Sequence, residues 1–121
     1  MIRSSGWESK ILYAFLIGKI SRDGTPIAMH RVKTVLYDLF ETLKREIGGI
    51  TRMRPFEATG ETSLWGNEPT TVVLVLADLN HEEKVDTHIA DQGLAVAQAL
   101  TQDQVWITKQ DVNLYIAHHP S

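Results

Sequence analysis

Cysteine is absent from the 121 residues, which excludes disulfides, thiolate metal sites and thiol nucleophiles and fits a reducing compartment. Long apolar runs are absent too. The stretch from Ile11 to Ile17 is stopped by Gly18 and Lys19, whereas a spanning helix needs about 20 residues. No small-residue cleavage site follows it, so the expectation is a cytoplasmic protein with no membrane partner. Basic charge is short: 12 Lys and Arg stand against 15 Asp and Glu, for a net charge of −3. Proteins that grip phosphate backbones are usually basic on one face, which weighs against nucleic acid as a partner. Glycine-rich phosphate loops and the G-x-S-x-G elbow are missing as well.

What is present is globular. Hydrophobic residues make up 43% and charged residues 22% of the chain, away from the signature of disorder. The length suits a single domain spanning residues 1–121, with residues 1–8 and 118–121 expected as mobile tails.

The stretch Thr70–Asp78 holds five consecutive aliphatic residues, Val72 to Leu76. It reads as an inner strand covered on both faces, because a strand with one wet face alternates polar and apolar positions. Lys10–Gly18 reads as a first strand, and Ser21–Thr25 as an Asp-Gly turn. A helix is expected from Pro26 to Ile47, with Thr25 as its cap and Pro26 at its first position. Val32, Val35, Leu36, Leu39, Phe40, Leu43 and Ile47 form its apolar stripe, and Gly48-Gly49 ends it. Ile50 to Trp65 reads as an interrupted or edge strand, since Pro55 lacks a ladder donor. A second helix is expected from His81 to Leu100, opened by Asn80 with Glu83 three residues on. Val85, Ile89, Leu94, Val96, Ala97 and Leu100 make its apolar side. Gln104–Thr108 is a strand, and Asp111–Ala117 is either a further short strand or its continuation past a kink. This order is the ferredoxin-like βαββαβ arrangement, an α+β fold with both helices on one face of an antiparallel sheet. The other face then carries apolar residues to water, so self-association as a homodimer, or a tetramer, is expected.

Chemistry-bearing residues concentrate between Thr51 and Glu68. Arg52, Arg54, Glu57, Glu61 and Trp65 offer an anion clamp, acid–base groups and an aromatic wall for a small-molecule cleft. The competing reading is solvated edge and loop charge with Trp65 packed under the hairpin. His81, His88 and Asp91 share helix spacing, but no metal motif with known mechanics matches, and exposed polar positions are the simpler account. No metal and no cofactor are expected. His30 and His118-His119 read as surface and tail residues. A nucleic-acid reading would lean on Arg52, Arg54, Trp65 and Trp106, with Tyr13 and Phe15 on one face of the first strand.

Gly48-Gly-Ile-Thr51, Gly60, Trp65, Glu68 before an apolar strand, and Gln102 with Val105 resemble a pattern in small uncharacterised ferredoxin-like proteins of bacteria, phages and mobile elements. The resemblance spans residues 48 to 108, departs at Pro55-Phe56-Glu57, and implies the fold without an activity. Three classes follow: an oligomeric accessory or binding protein with a cleft near residues 52–68; a small cofactor-independent enzyme of the dimeric α+β-barrel type acting on a small organic substrate; and a single-stranded nucleic-acid or regulatory module.

Overall fold

Alternation decides which side of each inner strand meets the helices. In β1 (Trp7–Gly18), Ile11, Tyr13, Phe15 and Ile17 are buried, while Leu12, Ala14 and Leu16 between them are half-buried. In β3 (Thr70–Asp78), Val73, Val75 and Ala77 are fully buried and Val72, Leu74 and Leu76 only partly. These facts come from a computed structural model that describes residues 6–47, 50–58, 70–79, 82–115, 117 and 119, with residues 50–58 described by their backbone. The expectation that Val72–Leu76 is covered on both faces is therefore corrected. The helices cover one face, and the aliphatic residues of the other remain partly open.

The remaining elements are α1 (Met29–Glu46), β2 (Ile50–Ala58), α2 (Glu82–Ala99) and β4 (Trp106–Tyr115). The sheet order is β2-β3-β1-β4 with every neighbouring pair antiparallel. Both strand–helix–strand units thus skip over one strand, which is the ferredoxin-like split arrangement.

Helix α1 forms where the stripe predicts it. Val32, Leu36, Leu39, Leu43 and Ile47 are buried, with Val35 and Phe40 packed at the margin. Its start differs from the expected one. Pro26 pairs with Ile20 in an isolated bridge, and Ile27 N–H donates to the Lys19 carbonyl. Those bonds engage residues 26 and 27, and Ala28 is extended, so the helix begins at Met29, and its N-cap Ala28 supplies no side-chain bond.

Helix α2 buries Val85, Ile89, Gly93, Val96 and Ala97, whereas Leu94 is exposed. Gly93, not Leu94, continues the four-residue spacing from Val85 and Ile89. A Cβ there would sit 2.5 Å from Ile107 Cδ1, so the missing side chain lets the helix lie against β4. Asn80 and His81, the expected start, lie outside the described residues.

Two other boundaries move. Strand β1 starts at Trp7, so Trp7 and Glu8 are ladder residues opposite Tyr115 and Leu114, not part of a tail. Strand β4 runs unbroken from Trp106 to Tyr115, so of the two expected alternatives the continuation holds, without a kink that breaks the strand. Gln102 pins the start of β4 to the end of β1. Its Nε2 donates to the carbonyls of Gly18 (2.5 Å) and Ile20 (3.2 Å).

Candidate functional site

The expected cluster straddles the limit of the described residues. Strand β2 places Arg52 in register with Leu76, Arg54 with Leu74, and Glu57 with Thr71. Glu61 and Trp65 lie outside the described residues. The two arginines register with the half-buried series of β3, and Glu57 with the opposite series. Extending the ladder gives three rungs: Phe56, Val72, Leu16, Trp106; Arg54, Leu74, Ala14, Thr108; and Arg52, Leu76, Leu12, Gln110. Each rung carries at least one aliphatic residue on an inner strand, and the lower two end in residues of polar type.

On the covered side, a polar network spans three elements that sequence spacing does not link. Tyr13 is only 2% exposed as a residue, and its hydroxyl donates to Asp86 Oδ1 at 2.5 Å in a part-buried bond. Lys109 of β4 donates to Asp86 Oδ2 at 2.9 Å and also bonds Glu82. Burial, then the bond to Asp86, pushes the Tyr13 hydroxyl far above its ordinary value, so it stays protonated. The Tyr13 hydrogen bond, helped by Lys109, holds the Asp86 carboxyl below the usual carboxylate range. Bonds to Glu82 and Asp86 raise Lys109. The only sequence signal for this network is parity: Tyr13 falls on the series of β1 that meets the helices, and Asp86 follows the buried Val85.

The network's pH dependence has a definite sign. A carboxylate whose folded pKa is depressed adds stability above its unfolded value, about 3.9, and that stability is lost as pH falls through the folded value. Tyr13→Phe should cost about 1 kcal/mol, a hydrogen bond to a charged acceptor discounted for the exposure of Asp86. It should also flatten the loss of stability below about pH 4. Urea unfolding from pH 2 to 7 reads both effects. Equal stability with an unchanged acid limb would show that this bond contributes nothing.

A second ion pair lies at the far end of β1, where Lys10 bonds Asp78 and approaches Glu8 at 3.6 Å. The Asp78 bond is the main cause that raises Lys10. A cleft of about 200 Å³ beside it is lined by Ser9, Lys10, Leu79, Asp111, Val112 and Asn113. A second, of about 140 Å³, lies between the helices at Val35, Asp38, Leu39, Gln92, Ala95, Val96 and Ala99. Complete small-molecule sites usually span about 300–1,000 Å³. Both clefts are smaller than that. Among the described residues no three His, Asp or Glu side chains converge to hold a metal. His30 is exposed, His88 is half-buried, and His81 and His118 fall outside the described set. No helix among the described residues is long and apolar enough to cross a membrane.

Fold and clefts together define a small α+β protein of the ferredoxin-like class with an open sheet face. No protein-family model and no curated protein matches the chain. Solved structures do match its fold. A phage SAM lyase in the apo state superimposes with a TM-score of 0.63 at 15% identity, covering 99% of this chain and 98% of that one. A phage SAM lyase in complex with S-methyl-5′-thioadenosine gives 0.56 at 13% identity, covering 88% and 90%. The de novo designed protein Foldit4 gives 0.54 at 10% identity, covering 87% and 97%.

Proposed function

We propose that the protein is a self-associating enzyme that cleaves S-adenosylmethionine and releases S-methyl-5′-thioadenosine. The observation that carries this reading is the end-to-end correspondence with a phage SAM lyase, 99% of one chain on 98% of the other. One fold hosts many chemistries, so the residues must also suit the substrate.

The substrate carries a sulfonium cation, an ammonium and a carboxylate. When the bond between sulfur and the amino-acid side chain breaks, its electron pair stays on sulfur. The sulfonium charge is neutralised and a thioether leaves. The carbon that loses sulfur takes an electron pair from the substrate's own carboxylate oxygen, closing a lactone ring as the C–S bond breaks, so neither water nor a cofactor enters. The protein's task is to bind and orient: a guanidinium for the carboxylate, acidic groups for the cation, and an aromatic surface for the ring or the sulfonium. Arg52 or Arg54, Glu57 or Glu61, and Trp65 supply those types, and the net charge of −3 favours a cationic substrate over a phosphorylated one. The open rungs through Leu74 and Leu76 supply the face on which two copies associate.

Turnover kinetics test the residue roles. Arg54→Ala and Trp65→Ala, each checked for cooperative unfolding, should lower kcat/KM for S-adenosylmethionine at least tenfold. Folded variants with undiminished turnover would remove those residues from the site. Substrate bound but left intact by the wild type would make this a binding protein instead.

A further inference from the structure

We infer that the projecting end of the β1–β4 ribbon is a binding subsite for a purine nucleoside that carries no phosphate. Trp7, Ser9 and Ile11 register with Tyr115, Asn113 and Asp111, and alternate residues share one face of a strand. That face is the one the helices cover further along. Lys109 already meets Glu82, the first residue of α2, so Asp111, Asn113 and Tyr115 lie past the end of the helix.

Large apolar groups are left open there. Trp7 is 60%, Tyr115 48% and Leu79 45% exposed. The two aromatic rings pack on each other with centroids 5.1 Å apart and planes tilted by 38°. Tyr115 is also backed by Gly6, whose φ of +75° and missing side chain allow the approach; a Cβ there would stand 2.7 Å from the ring. A ring held from behind by backbone is preorganised as a stacking shelf. Beside the shelf opens the cleft of about 200 Å³ with Ser9, Asp111 and Asn113 in its lining. It has room for one heterocycle or sugar, while the rest of the ligand lies against the aromatic pair.

The polar groups choose the ligand. Asn113 both donates and accepts, as a purine edge requires, and Asp111 accepts from an exocyclic amine or a ribose hydroxyl. The contact from Ser9 Oγ to Asn113 Oδ1 is long, 3.4 Å, and readily exchanged for a ligand. Lys10 is engaged by Asp78 and Glu8, whereas Asp111 has no ion pair among the described residues. A phosphate would meet carboxylates with no cation in reserve. A neutral or cationic 5′ group would not.

The ligand class rests on the reading of the protein as a S-adenosylmethionine lyase, but β4 and β2 are opposite edges of the sheet, so this is a nucleoside site separate from Arg52 and Arg54, with its own test. Titration calorimetry on the full chain should show S-methyl-5′-thioadenosine binding at least tenfold more tightly than adenosine 5′-monophosphate. Asp111→Asn, nearly isosteric, should narrow that gap severalfold. Tyr115→Ala, verified as folded, should weaken the thioadenosine at least tenfold. Equal affinity for the two ligands, no binding to the wild type, or unchanged affinities in both variants would overturn the subsite. Turnover with binding unaffected by either variant would sink the subsite and leave the lyase. Binding that the variants weaken, with no turnover, would do the reverse.

Discussion

Val75→Asp should abolish cooperative folding. Val75 is fully buried within the cluster that joins β1, β3 and both helices. It sits on an inner strand between Tyr13 of β1 and Met53 of β2. A carboxylate there would lie within the hydrophobic core cluster, and an unpaired buried charge costs several kcal/mol. A domain of this size has only about 5–15 kcal/mol of total stability. Far-UV circular dichroism and urea unfolding of the purified variant decide the matter. A soluble protein with a cooperative transition near that of the wild type would mean the centre of the sheet lies elsewhere.

Leu74→Asp, one residue earlier, should have the opposite consequence. Leu74 belongs to the half-buried series, in the rung between Arg54 and Ala14. In a single chain a carboxylate at this position reaches water, so the fold should survive with a small change in midpoint. Across a two-fold interface two such charges would be desolvated near each other. Association should weaken at least a hundredfold, equivalent to about 2.7 kcal/mol. Sedimentation at micromolar concentration should show the wild type heavier than the 13.6 kDa chain and the variant as a single light species. A monomeric wild type, or a variant that associates as tightly, would rule out this face as the interface.

These two neighbours also show how far the sequence can be read. A run such as Val72–Leu76 announces an inner strand, but it cannot say whether the second covering layer belongs to the same chain. Both an intramolecular layer and a second copy demand the same aliphatic residues. The α1 stripe was legible because seven apolar positions keep one period, and burial depends on period alone. Its start was not, because Thr25-Pro26 is a sound local cap that loses to two longer-range contacts, the Ile20 bridge and the bond from Ile27 to Lys19.

The site was the least legible part. Tyr13 and Asp86 are 73 residues apart in sequence, and Trp7 meets Tyr115 only because β1 and β4 are antiparallel in one register. Types and spacing drew attention to Arg52, Arg54, Glu57, Glu61 and Trp65. The fold adds the register of the first three and, at the far end of β1, an aromatic shelf that no motif announces. Parity on β1 was available as a clue to Tyr13. The shelf had no such clue, since Trp7 fell within the residues expected to be a tail.

The most direct measurement of the central claim is the fate of S-adenosylmethionine supplied in large excess to the purified wild-type chain. Chromatography with mass detection follows substrate and products over time, against a protein-free control that measures spontaneous decay. The account predicts S-methyl-5′-thioadenosine formed mole for mole with the substrate lost, over many turnovers per chain, with no metal or cofactor added. Substrate that decays no faster than in the control, with the protein folded and associated, would contradict it.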